Sequence, residues 1–90
     1  MNGSTHLSRE DKDLLIQCLR KHNPELAEKA ILLDSEPPSA DIVYQMRDAL
    51  IDESVARGFD SDWNLNEYGV IIERLIERLG SLYLWPKGKR

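Results

Sequence analysis

Ser39-Ala-Asp-Ile-Val-Tyr-Gln-Met-Arg-Asp-Ala-Leu-Ile-Asp-Glu-Ser-Val-Ala-Arg57-Gly58 runs without a proline or an internal glycine. Ile42, Val43, Met46, Ala49 and Leu50 recur at i, i+3/i+4 and i+7/i+8, the period of a helix with one buried stripe. The spacing predicts a helix from Ala40 to Arg57. Ser39 is placed to cap the free amides of its first turn, and Gly58 to take the left-handed conformation that ends many helices.

Upstream, Asp34-Ser-Glu-Pro-Pro38 breaks the chain, because each proline lacks an amide donor and biases its predecessor away from helix. Before that break, Ser8 is a cap for a helix that buries Leu14, Leu15, Cys18 and Leu19, with Asp11 at the third position of a capping box. Asn23-Pro24 ends it and starts a short second helix, asparagine capping and proline at the first helical position, with Leu26, Ala27, Ala30, Ile31 and Leu33 as its apolar stripe. Downstream, Phe59-Asp-Ser-Asp-Trp-Asn-Leu-Asn66 has loop composition. Asn64 or Asn66 then caps a helix running to about Leu79, where Gly80 is the stop; with Asn64 as the cap, Glu67 would complete a capping box. Leu65, Tyr68, Ile72, Leu75, Ile76 and Leu79 are its expected inner face, and Ser81 to Pro86 either pack back or extend it. No stretch alternates apolar and polar long enough for a strand, so the expectation is an all-α, compact bundle of about four helices.

The chain has 90 residues, 41% hydrophobic and 31% charged, with a net charge of −4, which fits one folded, soluble domain and excludes a two-domain enzyme. Residues 1–7 and 86–90 are expected to fray. No apolar run reaches the ~18 residues of a membrane helix. One cysteine, Cys18, cannot form an internal disulfide, and the start at Met1–His6 lacks the features of a signal peptide, so a reducing cytoplasm is expected.

Charge is unevenly spread. Residues 34–67 hold nine acidic groups, Asp34, Glu36, Asp41, Asp48, Asp52, Glu53, Asp60, Asp62 and Glu67, against Arg47 and Arg57, a local charge of −7. Two readings are open: a solvated helix face, or an acidic patch that attracts a basic protein and speeds its association. Such a block repels phosphate backbones, so a nucleic-acid partner is not expected; a helix-turn-helix at Asn23-Pro24 would need a basic second helix, and Lys29 faces Glu25, Glu28, Asp34 and Glu36.

Candidate chemistry is sparse. Asp60-x-Asp62-x-Asn64-x-Asn66 has the alternating oxygens of a calcium loop, but its sixth position is Leu65 and its twelfth Ile71, where that loop needs glycine and glutamate. These residues read better as turn formers and caps. Cys18 and His22 lie one helical turn apart, short of the three or four ligands of a zinc site, and a buried thiol is the simpler reading. No nucleophile elbow or phosphate-cradling glycine loop occurs. No metal, cofactor or catalytic residue is expected. Glu73 and Glu77 alternate with Arg74 and Arg78, the pattern of an exposed face. Phe59 is expected in the core, whereas Trp63, flanked by Asp62 and Asn64, is divided between core and interface.

Met46-Arg-Asp-Ala-Leu-Ile-Asp-Glu53, Arg57-Gly-Phe-Asp60, Asn66-Glu-Tyr-Gly69 and Ile72-Glu-Arg-Leu-Ile-Glu-Arg-Leu79 follow in an order that resembles small bacterial immunity proteins of the MafI type, encoded beside polymorphic toxins. The resemblance spans residues 37–80. It implies a small helical cytoplasmic protein that binds and blocks one toxin, and it implies no catalytic residue. An acidic middle third suits a basic toxin, nucleases included, since nucleases are basic where they hold phosphate. The partner-binding residues expected are Asp52, Asp60, Asp62, Trp63, Glu67 and Tyr68. The alternative is a homodimeric helical interaction or regulatory module, with Leu82, Leu84 and Trp85 as a self-complementary patch.

Overall fold

The computed structural model describes residues 7–33, 35–36 and 38–84, and these form four helices: α1 (Arg9–His22), α2 (Pro24–Ile31), α3 (Ala40–Arg57) and α4 (Glu67–Tyr83). The fold is an all-α bundle in which α3 packs against both α1 and α4, and α2 packs on α1. One cluster of buried residues is drawn from every helix, with Leu15 and Leu19 of α1, Ala30 of α2, Met46 and Leu50 of α3, and Ile72, Leu75 and Leu79 of α4 at its centre.

Local chemistry sets most of the boundaries. The Ser8 hydroxyl accepts from the Asp11 amide at 3.1 Å, and the Ser39 hydroxyl from the Ile42 amide at 3.3 Å. The Asn66 side-chain oxygen accepts from the Gly69 amide at 2.7 Å. Each satisfies one of the amides that a helix start leaves without a partner.

Several expectations change. Asn23 caps α2 without a side-chain bond; Pro24 at the first position has no amide to satisfy, and the Asn23 carbonyl takes the Leu26 amide at 2.9 Å. Asn66, not Asn64, is the cap of α4, so Glu67 is its first residue and closes no capping box. Gly80 does not stop α4. It is buried within the helix, which runs on to Tyr83 as Leu82, Tyr83 and Leu84 pack against the core. Ile31 and Leu65 are exposed, and Leu7, expected to fray, belongs to the core. Residues 1–6 and 86–90 lie outside the described residues, as does Trp85.

Gly58 has φ −90°, not the left-handed value expected of it. Its glycine is required by space. A Cβ there would stand 2.7 Å from the Ser54 carbonyl oxygen and 3.0 Å from the Gly69 Cα, and a Cβ on Gly69 would overlap the Gly58 carbonyl. The two glycines let the end of α3 and the start of α4 meet backbone to backbone. That contact fixes where Tyr68 sits relative to α3.

Among the described residues, no helix is long and apolar enough to cross a membrane.

Candidate functional site

The loop from Gly58 to Asn66 is held by its own hydrogen bonds. Asp60 donates its amide to the Asn64 carbonyl at 2.8 Å, Trp63 donates to the Asp60 carbonyl at 3.0 Å, and Asn66 donates to the Gly58 carbonyl at 2.8 Å. Phe59 and Leu65 form an antiparallel bridge. One Asp60 carboxylate oxygen accepts from the amides of Asp62 at 2.9 Å and Asn64 at 3.0 Å, while the Asn66 side-chain amide donates to the Arg57 carbonyl at 2.9 Å. Asp and Asn favour such turns because their short side chains reach nearby amides. The Asp60-x-Asp62-x-Asn64 oxygens that resemble a calcium loop are thus, in Asp60, committed to the backbone.

The loop presents an aromatic pair. Trp63 is 77% exposed, and its backbone is left-handed, with φ 63°. That conformation costs a non-glycine residue ~1 kcal/mol or more, and such strain is characteristic of positions held for function. Phe59, expected in the core, lies on the rim instead: its ring centroid is 6.2 Å from that of Trp63, at an interplanar angle of 53°. The two rings pack on each other at the loop's surface.

The structure does not gather all the residues expected to bind a partner. Asp60, Asp62 and Trp63 share the loop, and exposed Glu67 opens α4 directly after it. Asp52 is exposed on α3, where it lines a recess of about 120 Å³ with His22, Asn23, Gln45, Asp48 and Ala49. Tyr68 is set apart from them. It is half-buried on the inner side of α4, and its hydroxyl donates to Glu53 at 2.6 Å.

Glu53 itself is only 1% exposed, although it counts among the acids of the middle third. Its Oε1 takes a bond from His22 Nε2 at 2.8 Å, and its Oε2 accepts from Lys21 Nζ at 2.9 Å as well as from Tyr68. Because the Tyr68 proton is used on the carboxylate, the Cys18 thiol, 3.9 Å from the Tyr68 oxygen, is the donor there. Burial favours the neutral acid, but the bonds from Tyr68, His22 and Lys21 outweigh it and hold Glu53 down to about 2. Burial and the neighbouring carboxylate push the Tyr68 phenol up, and burial pushes the Cys18 thiol up. Glu53 is therefore an ionised carboxylate whose oxygens are both occupied. It clasps α1, α3 and α4 and is closed to a substrate.

The clasp carried a signal in the sequence. Glu53 continues the Met46–Leu50 stripe at i+7, His22 continues Leu15, Cys18 and Leu19, and Tyr68 leads the stripe of α4. A polar residue on the inner stripe of each of three helices is the pattern of a buried network. Among the described residues no group of three or more His, Cys, Asp or Glu side chains is placed to hold a metal.

Leu82 and Leu84, expected to form a self-association patch, are half-buried against the core. No family model, curated protein or solved structure matches the chain.

Proposed function

We propose that the chain is a non-enzymatic binding protein that neutralises a basic bacterial toxin, the role its resemblance to MafI-type immunity proteins implies. The observation that carries this reading is Trp63, held out from a hydrogen-bonded loop between Asp62 and Asn64. An aromatic residue on a pre-ordered loop contributes large contact area with little entropy left to lose, which is the physics of an interface anchor. Asp60, Asp62 and Glu67 around it supply the charge that draws a basic surface and raises its rate of approach. A nuclease that holds phosphate with lysines and arginines has such a surface. No cofactor enters this function.

The test is co-expression with the product of the adjacent gene in a heterologous bacterium. Rescue of growth and co-purification of the two proteins are expected; a neighbour that is harmless, or that kills without ever co-purifying, sinks the reading. Surface contributions are then resolved by Asp62→Lys, which should slow association. Asp60 requires the milder Asp60→Asn, because its carboxylate oxygen holds the loop and an asparagine oxygen can keep those two bonds. A wild-type association rate in the Asp60→Asn, Asp62→Lys double variant removes the acidic loop from the interface.

A further inference from the structure

α3 buries one face and carries a second apolar line on the other. With 3.6 residues per turn, Tyr44, Ile51 and Val55 fall within about 40° of one another, across the helix from Met46, Leu50 and Glu53. All three are exposed, Tyr44 by 53% and Val55 by 65%. A surface helix ordinarily presents polar residues there. Three large apolar side chains recurring on one helix face form a stripe rather than scattered single exposures, and the exposed Phe59 and Trp63 follow in the chain after Gly58.

The edge of this line decides what covers it. Asp41, Asp48 and Asp52 run along one side of it, all exposed. Asp48 and Asp52 also face the recess beside His22 and Asn23. A second copy laid antiparallel on the same face would set that aspartate edge against itself, and like charges brought together across a contact oppose it. A basic chain has no such conflict. The length from Tyr44 to Val55 corresponds to about three helical turns.

We propose that the outward face of α3 docks an amphipathic basic helix of the partner protein, with apolar side chains at i, i+3/i+4 and i+7 laid on Tyr44, Ile51 and Val55 and lysines or arginines along Asp41, Asp48 and Asp52. This rests on the basic-partner reading above and names the element of the partner that is recognised.

The probe is a synthetic amidated peptide of leucine, alanine and lysine, four turns long, with leucines at i, i+3, i+4 and i+7 and lysines along one edge. It is titrated into the full ¹⁵N-labelled chain. Amide shifts confined to residues 41–55 and 59–63 are expected, with none from a version carrying glutamate for lysine. The Ile51→Ser, Val55→Ser variant, altered only at exposed positions, should keep its melting temperature and bind at least tenfold more weakly. Shifts on another face, no shifts at all, or equal binding by a scrambled peptide of the same composition would overturn the proposal. The two readings fail separately. Capture of the peptide by a chain that never rescues toxin-expressing cells sinks the toxin and keeps the helix-docking face. Rescue and toxin affinity unchanged in the Ile51→Ser, Val55→Ser variant sink the face and keep the toxin.

Discussion

Replacing Glu53 by glutamine keeps its shape and removes the charge on which Lys21, His22 and Tyr68 converge. The fall of the carboxyl from 4.5 to about 2, at ~1.36 kcal/mol per pH unit, means that the fold favours the ionised form by ~3 kcal/mol. The side chain is 1% exposed, so solvent does little to screen this. A chain of 90 residues has roughly 5 to 13 kcal/mol of total stability, so Glu53→Gln should fold and lose ~3 kcal/mol at pH 7. The sign with pH follows from the lowered value. The stabilisation is complete above the unfolded value of 4.5 and is lost as pH falls from there toward 2. The gap between wild type and variant should therefore narrow from ~3 kcal/mol at pH 7 to ~1 kcal/mol at pH 3. Urea titrations followed by far-UV circular dichroism at both pH values measure it. A gap that stays constant with pH, or one below ~1 kcal/mol at pH 7, would refute the clasp as the origin of the effect.

Gly69→Ala drives a methyl group into the Gly58 carbonyl and should cost ~2 kcal/mol, a fall in Tm of roughly 10 °C by calorimetry; a Tm within 2 °C of wild type, on the order of the ~0.5 kcal/mol of a neutral surface change, contradicts the backbone contact. Trp63→Gly relieves the left-handed strain and should leave stability unchanged or raise it by up to ~1 kcal/mol while weakening toxin capture at least tenfold; stability lost together with binding would assign Trp63 a structural role. Cys18, buried and with its thiol pushed up, should react with a disulfide reagent at pH 8 at least a hundredfold more slowly in the native chain than in urea, and comparable rates would refute its burial. Tyr68 and Cys18 are both raised, so the stability they contribute is intact below their unfolded values and is lost as pH rises beyond them; Tyr68→Phe should flatten the fall in urea midpoint above pH 10.

The start of α3 could be read from the chain because Ser39 acts on its immediate neighbours and cap chemistry is local; its end falls at Gly58, but the glycine is required there by the approach of Gly69 and not by a left-handed cap. Gly80 misled for the same reason. As a local signal it says stop, but the apolar Leu82, Tyr83 and Leu84 beyond it gain more by packing on the core than the glycine costs within a helix. Glu53 was assigned to the surface with the other acids, since the donors that make its burial tolerable come from positions 21, 22 and 68. Charge counts along a sequence do not carry such distant pairings. Among the residues expected to bind a partner, Asp60, Asp62 and Trp63 read as loop residues from composition alone, and the structure places them in one hydrogen-bonded loop. Tyr68 lies apart from them, on the inner stripe that its own spacing in α4 indicates. The apolar line of Tyr44, Ile51 and Val55 was hidden within a helix that has apolar residues on two opposite faces.

The Glu53 clasp also divides the chain in time. The turn between α3 and α4 is closed by bonds among residues 57 to 69, so that hairpin can form early from neighbouring segments. The clasp must bring residues 18 to 22 to residues 53 and 68, across sequence separations of 31 to 50, and its loop-closure entropy is met only once α1 docks on the α3–α4 hairpin. The Tyr68 bond can form with the hairpin, but the bonds from Lys21 and His22 wait for α1 to dock, so the carboxylate is fully satisfied only in the last step of folding. Its loss should accelerate unfolding far more than it slows refolding. Glu53 thereby governs how long the bundle, once formed, stays shut.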